Sequence, residues 1–122
     1  MRPIPIALRA ELEPLPRMKI CHLCGSRTEI EWNHALIYSG RQVNELYAIV
    51  ALCKHHHRGN NGTIFPDAKH VCEIFAIENG LEHLKLNYPR FPWEQHLKYL
   101  KSIYESIKKG TGVSANHDHI GN

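Results

Sequence analysis

The sequence predicts a small α+β fold (α/β in the broad sense) in one domain, residues 1–122, with a metal-stabilised finger of two strands and a helix before a helical scaffold. Three observations predict it. Two pairs of metal-ligand residue types each have two residues between their members, two short β-patterned segments lie between or beside the pairs, and the second half of the chain repeats apolar residues at helical spacing. A core of this size leaves about a third of the unfolded chain's surface exposed, so a bound metal would help to stabilise it.

Composition narrows the class of protein. Residues 1–5 lack the apolar core of a signal peptide, and the longest uncharged apolar run, residues 47–53, is too short to span a bilayer. We therefore expect an intracellular protein with reduced thiols, in which four cysteines favour a metal site over disulfides. The net charge of +3 is compatible with nucleic-acid binding but does not establish it. Six of the ten histidines fall between residues 21 and 70, which is the main compositional anomaly.

The N-terminal half is predicted to be mostly extended. Residues 1–17 contain four prolines and should form an arm, with one helical turn at 7–13, that either wraps the domain or stays mobile. The finger occupies residues 18–62. Its first strand is predicted at 28–32, where polar and apolar residues alternate, and its second at 47–52, where β-branched residues favour a buried strand. Residues 35–45 should form a long connection between them.

The C-terminal half is predicted to be helical. A short helix should follow the second strand and stop at Gly59. The scaffold, residues 63–110, should then contain a helix from Pro66 to the residue before Gly80, a short helical stretch at 81–86, and a last helix that starts at Pro92 and closes at Gly110. Two apolar stripes make these helices packing elements. Their members are Ala68, Val71, Cys72 and Phe75 in the first and Trp93, Leu97, Leu100, Tyr104 and Ile107 in the second. Residues 111–122 are expected to be a disordered tail.

The two ligand pairs, Cys21 with Cys24 and Cys53 with His56, predict a structural zinc site. Three thiolates and one imidazole close a tetrahedral shell and leave no position for water, which is typical of structural zinc. The fourth ligand stays open among His55, His56 and His57, with His56 favoured because it repeats the spacing of the first pair. A redox-sensing role for the cysteines is disfavoured, because thiolates committed to zinc are poorly available for oxidation.

The order of these motifs resembles the HNH endonucleases, the ββα-metal or His-Me finger family, and most of all its small phage-type members. The resemblance covers about residues 19–60. It consists of a Cys-x2-Cys knuckle, a strand that ends in an amide and a histidine, an asparagine in the connection, and a strand ending Leu-Cys that enters a helix with two histidines. Here those residues are Cys21 and Cys24, Asn33 and His34, Asn44, Leu52 and Cys53, and His56 and His57.

The resemblance implies hydrolysis of DNA phosphodiester bonds by an enzyme of a bacterial or phage-infected cytoplasm. His34 would be the general base that activates water, and Asn33 and His57 would hold one divalent ion, Mg²⁺ or another metal. Asn44 would orient the base histidine, with a plain turn residue as the alternative. An imidazole suits this role because it is largely unprotonated at neutral pH. Lys54 and Arg58 are the nearest candidates for phosphate contacts, with simple solvated charges as the alternative.

One departure keeps a second function open. Many HNH proteins carry a charged or imidazole ligand before the general base, whereas Asn33 offers one neutral carbonyl oxygen. Glu31, two residues earlier on the same strand face, is a candidate for the missing charge. The alternative hypothesis is a catalytically inactive, zinc-finger-like module that binds nucleic acid or protein.

Overall fold

The computed structural model describes residues 3–58 and 66–111 of the chain. Within those ranges it contains four α-helices and two small antiparallel sheets, so the predicted α+β class is confirmed. The elements in chain order are α1 (Ile6–Leu12), β1 (Ile30–His34), β2 (Ile37–Tyr38), β3 (Arg41–Gln42), β4 (Ile49–Cys53), α2 (Lys54–Arg58), α3 (Pro66–Asn87) and α4 (Trp93–Thr111). Short 3-10 turns lie at Pro16–Lys19 and Leu46–Ala48.

The first sheet pairs β1 with β4 in an antiparallel register that runs from Ile30 opposite Cys53 to His34 opposite Ile49. All five residues of β4 are buried, and α2 follows it directly. Both strands begin two residues later than the sequence predicts. Glu29 adopts a left-handed φ of 52°, which breaks the extended run before Ile30, and residues 46–48 form a 3-10 turn instead of strand.

The connection between the two strands is a second, smaller hairpin, not an irregular loop. Strands β2 and β3 meet at Ser39 and Gly40, whose φ values of 51° and 76° are those of a two-residue type I′ turn. A hydrogen bond of 3.0 Å from the Val43 amide to the Leu36 carbonyl closes its base. The chain therefore returns at residue 44 to the place where β1 ended.

Helix α3 continues through Gly80 and joins the two helical segments that the sequence predicts separately. Glycine at this position does not end the helix. The ring of Tyr47 lies where a β-carbon of residue 80 would be, so a larger residue would not fit here. The glycine is required for packing against that ring. Helix α4 likewise runs past Gly110 to Thr111, the first residue of the predicted tail, while 112–122 and the predicted stop at 59–62 lie outside the described residues.

The described members of both predicted stripes pack into the core, and the side chain of Ile107 lies outside the described residues. Ala68, Val71 and Cys72 are buried in α3, and Trp93, Leu100 and Tyr104 are buried in α4. The N-terminal arm wraps the domain, since Ile4, Leu8 and Leu12 are buried in one cluster with Met18, Ile49 and Ala51. Among the residues that the structure describes, none of the helices has the length and apolar character needed to cross a membrane.

Candidate metal centre and active-site cleft

The four residues predicted to bind zinc come together in one cluster. The ligand atoms of Cys21, Cys24, Cys53 and His56 all lie within 4.8 Å of one another. The separations are 3.9 Å from Cys24 Sγ to Cys53 Sγ, 3.7 Å from Cys21 Sγ to His56 Nδ1, and 3.2 Å from Cys53 Sγ to His56 Nδ1. A tetrahedral zinc with ordinary bond lengths needs about 3.8 Å between two sulfurs and about 3.6 Å between sulfur and nitrogen. The cluster can therefore hold a metal ion such as zinc.

The knuckle that carries Cys21 and Cys24 is shaped by Gly25. Its φ of 75° is left-handed, which glycine adopts without strain, and its amide donates to the Cys21 carbonyl at 2.9 Å. The amide of His22 donates to the carbonyl of Ala51 at 2.9 Å and fastens the knuckle to β4. Because Cys53 ends β4 and His56 lies three residues later on α2, strand and helix deliver the second pair to the same point.

Local electrostatics favour the metal-binding forms of two ligands, Cys21 and His56, whereas burial raises the pKa of the third, Cys24, to about 11. Burial alone would raise the pKa of the Cys21 thiol, but hydrogen bonds from the backbone of Cys24 and Cys53 lower it below its usual value. Burial, together with neighbouring His55, lowers the pKa of His56. A thiolate and a neutral imidazole are the states that bind zinc.

The predicted base histidine is fixed by the predicted orienting asparagine. His34 ends β1, and its Nε2 lies 2.8 Å from the side-chain oxygen of Asn44, which the β2–β3 hairpin returns to it. Since an amide oxygen only accepts, the Nε2–H of His34 donates. The other ring nitrogen, Nδ1, is then the one with a lone pair.

His57 is oriented by Glu31 in a similar way. Its Nδ1 donates to a Glu31 carboxylate oxygen at 2.7 Å, and Arg58 contacts the other oxygen at 2.8 Å. The hydrogen bonds from His57 and Arg58 lower the pKa of Glu31. The carboxylate proposed from the sequence as an extra metal ligand thus lies against His57 itself. With Nδ1 occupied, Nε2 of His57 is the nitrogen available for an ion.

The side chain of Asn33, the second residue predicted to hold the catalytic ion, acts to lower the pKa of the Cys72 thiol in α3. Burial is the main cause that raises the pKa of Cys72, to about 12, so the thiol stays protonated. Asn33 therefore lies near α3. Its side-chain oxygen is the only ligand atom that it can offer to a hard cation.

Most of the predicted catalytic residues line one cleft of about 550 Å³. Asn33, His34, His57 and Arg58 lie on the finger side of it. Lys54, predicted to contact phosphate, is exposed at the start of α2 and is not among the residues that line the cleft. Arg58 lines it with the side chain 63% exposed, although one edge of the guanidinium is engaged by Glu31.

The helical scaffold supplies the opposite wall, which the sequence did not predict. Lys69 and Glu73 of α3 and His96 of α4 line the cleft, with Phe91 and Trp93 beside them. The helices predicted to act as scaffold therefore also contribute side chains to the cleft. Helical periodicity identifies the buried stripes, but it does not say which polar residues next to a stripe will face the finger.

No model of a known family matches this chain, and no curated protein or solved structure matches it significantly.

Proposed function

We propose that this protein is a metal-dependent endonuclease of the HNH type that hydrolyses DNA phosphodiester bonds. The observation that carries the proposal is the hydrogen bond of 2.8 Å between His34 Nε2 and Asn44 Oδ1. In the neutral imidazole this bond places the proton on Nε2 and the lone pair on Nδ1, and His34 lines the cleft that Asn33 and His57 also line. An oriented imidazole base beside two candidate ligands for a divalent ion is the minimum that metal-assisted hydrolysis needs.

In this proposal His34 removes the proton from the attacking water. The water oxygen forms the new bond to phosphorus, and the bond from phosphorus to the leaving sugar oxygen breaks. General-base assistance of this kind contributes about 10²- to 10⁴-fold in rate. Asn44 does not touch the substrate; it is a positioning residue, which holds the imidazole in one tautomer and one orientation.

Asn33 Oδ1 and His57 Nε2 are the groups that would hold the divalent ion, Mg²⁺ or a related metal. Such an ion supplies positive charge that offsets the charge developing on the phosphoryl and leaving oxygens. Glu31 makes His57 a better ligand, because a carboxylate on Nδ1 fixes the ring orientation and the tautomer in which Nε2 carries the lone pair. Arg58, at the edge of the cleft, and Lys54, outside it, would contact flanking phosphates.

In the proposal the Cys3His cluster has a structural role, unlike the ion held by Asn33 and His57. Four protein ligands close the coordination shell, so zinc there would be structural and would not activate water. It would fasten the knuckle to the end of β4 and the start of α2, the two elements that lead to His57. Loss of zinc should therefore disturb the cleft by unfolding the finger.

Asn33 also favours a second function. Its amide is neutral, so Asn33 and His57 together offer the ion no charged oxygen. A finger of this kind that no longer binds the catalytic ion would be a nucleic-acid-binding module stabilised by zinc.

Cleavage of supercoiled plasmid separates the two functions. Purified protein with Mg²⁺, Mn²⁺ or Ni²⁺ should convert supercoiled plasmid into nicked or linear forms, and a chelator in excess of the added metal should stop the reaction. A wild type that is inactive with every metal, together with an Asn33→Asp variant that cleaves, identifies the binding module. A charged oxygen at residue 33 would in that case restore the missing ligand.

A further inference from the structure

Glu73 and His96 form a pair of possible metal ligands on the helical wall of the cleft. Glu73 lies in α3 and His96 in α4, and their side chains are only 20% and 25% exposed. Both line the same cleft as Asn33 and His57. The prediction from sequence assigned neither residue a role.

The distance within this pair is long for a hydrogen bond. His96 Nε2 and Glu73 Oε2 are 3.5 Å apart, whereas N–H···O bonds normally span about 2.7–3.2 Å. The other half-buried pair of a histidine and a carboxylate in the cleft region, His57 with Glu31, closes to 2.7 Å at 25% exposure of each side chain. Partial burial therefore does not by itself hold such a pair apart in this protein.

The same distance suits two ligands of one cation. A nitrogen and an oxygen that both lie about 2.0–2.2 Å from a metal ion, at angles between octahedral and tetrahedral, are about 2.9–3.5 Å apart. An imidazole and a carboxylate are also the ligand types that Mn²⁺ and related divalent ions accept. Lys69, one turn before Glu73, makes no ion pair with it in the part of the chain that the structure describes, so it does not satisfy the carboxylate.

We propose that Glu73 and His96 hold a second divalent cation on the helical wall of the cleft, with water completing its coordination. This site supplies the anionic oxygen that Asn33 and His57 lack on the finger side. Its role in catalysis rests on the proposed nuclease function: a cation here adds positive charge to the cleft that His34 also lines, where the phosphodiester can bind it. Cation binding itself does not depend on that function.

Titration with Mn²⁺, followed by the electron paramagnetic resonance signal of the free ion, tests the site on zinc-loaded protein. A His57→Ala background removes one ligand of the ion proposed on the finger. In that background one Mn²⁺ should still bind, and adding Glu73→Gln or His96→Asn should weaken it by at least about tenfold, the lower end of what even an outer-shell partner contributes. Glu78→Gln is the matched control, because Glu78 pairs with Lys101 across the same two helices at 2.6 Å but does not line the cleft.

Equal Mn²⁺ affinity with and without the Glu73 carboxylate would overturn the proposal. A Glu73→Gln protein that melts at a lower temperature but binds Mn²⁺ with unchanged affinity would also overturn the proposal. Glu73 and His96 would then only connect the two helices. Two variants at opposite ends of the pair, each checked for folding by circular dichroism, separate ligand loss from misfolding.

Plasmid cleavage keeps the two proposals distinguishable. If Mn²⁺ binding depends on Glu73 but the protein does not cleave plasmid, the second cation site is supported and the nuclease function is contradicted. If the protein cleaves plasmid but its Mn²⁺ affinity does not depend on Glu73, the nuclease function is supported and the second cation site is contradicted.

Discussion

Asn44 accepts a hydrogen bond of 2.8 Å from His34 although ten positions of the chain separate them. The β2–β3 hairpin makes this contact possible, because its tight turn brings the chain back to the end of β1. A base histidine needs such a partner, since a freely rotating imidazole presents the proton-accepting nitrogen only part of the time. The loop between the strands is thus part of the proposed catalytic apparatus.

Removing the orienting amide should slow cleavage without removing the ion. For Asn44→Ala we expect a decrease in the single-turnover rate of about 10- to 100-fold, in line with the loss of a partner that orients a functional histidine. Mn²⁺ affinity should not change. Asn44→Asp, which keeps the accepting oxygen, should recover most of the rate. If both variants cleave at the wild-type rate, Asn44 does not position His34.

Purified protein should contain one zinc per chain, measured by elemental analysis without added metal. Cys53→Ser should lose most of that zinc and with it the folded finger, because the free energy of metal binding is here free energy of folding. Cys72→Ala provides the matched control: Cys72 is buried in the same apolar cluster as Cys21 and Cys53 but is not a member of the ligand set. Full zinc content in Cys53→Ser would contradict the site.

Gly80→Ala should destabilise the protein even though alanine is the better helix former. The added methyl group meets the ring of Tyr47, and overpacking of this kind costs about 1–3 kcal/mol. Chemical denaturation of the double variant Tyr47→Leu with Gly80→Ala checks the cause, because the smaller side chain should relieve most of the added cost. A stabilised Gly80→Ala protein would show that the ring moves aside freely.

Leu100→Ala should lower the free energy of unfolding by about 2–5 kcal/mol, since Leu100 is 3% exposed in the core between α3 and α4. Lys98→Ala, on the exposed face of the same helix, should change it by less than about 0.5 kcal/mol. Thermal melts of both proteins provide the comparison. Zinc content should stay at one per chain in each, because neither residue approaches the metal cluster.

The parts of the site that the sequence predicts well are those governed by local spacing. Cys21 with Cys24 and Cys53 with His56 are close in the chain, so a knuckle and a helical turn suffice to aim them. The first strand begins two residues later than predicted, because the side chain of Glu29 gives no signal of its left-handed backbone. The second begins later because residues 46–48 form a 3-10 turn.

What the sequence could not predict depends on tertiary packing. From the sequence alone, Gly80 predicts the end of a helix. The structure shows instead that it packs against Tyr47, and no pattern along the chain connects two residues 33 positions apart. Glu31 was expected near the catalytic ion. Its contacts with His57 and Arg58 depend on how α2 packs against β1, which the sequence does not show. Glu73 and His96 become neighbours only when α3 and α4 pack together.

The dependence of cleavage on His34 tests the central claim most directly. The single-turnover rate on supercoiled plasmid in saturating Mn²⁺ should fall about 10²- to 10⁴-fold in His34→Ala, with zinc content and thermal stability as in the wild type. His83→Ala is the control, since His83 is an exposed histidine of α3 that hydrogen-bonds Tyr47 and does not line the cleft. It should cleave at the wild-type rate. Equal cleavage by His34→Ala and wild type, or no cleavage by the wild type with any divalent metal, would contradict the account.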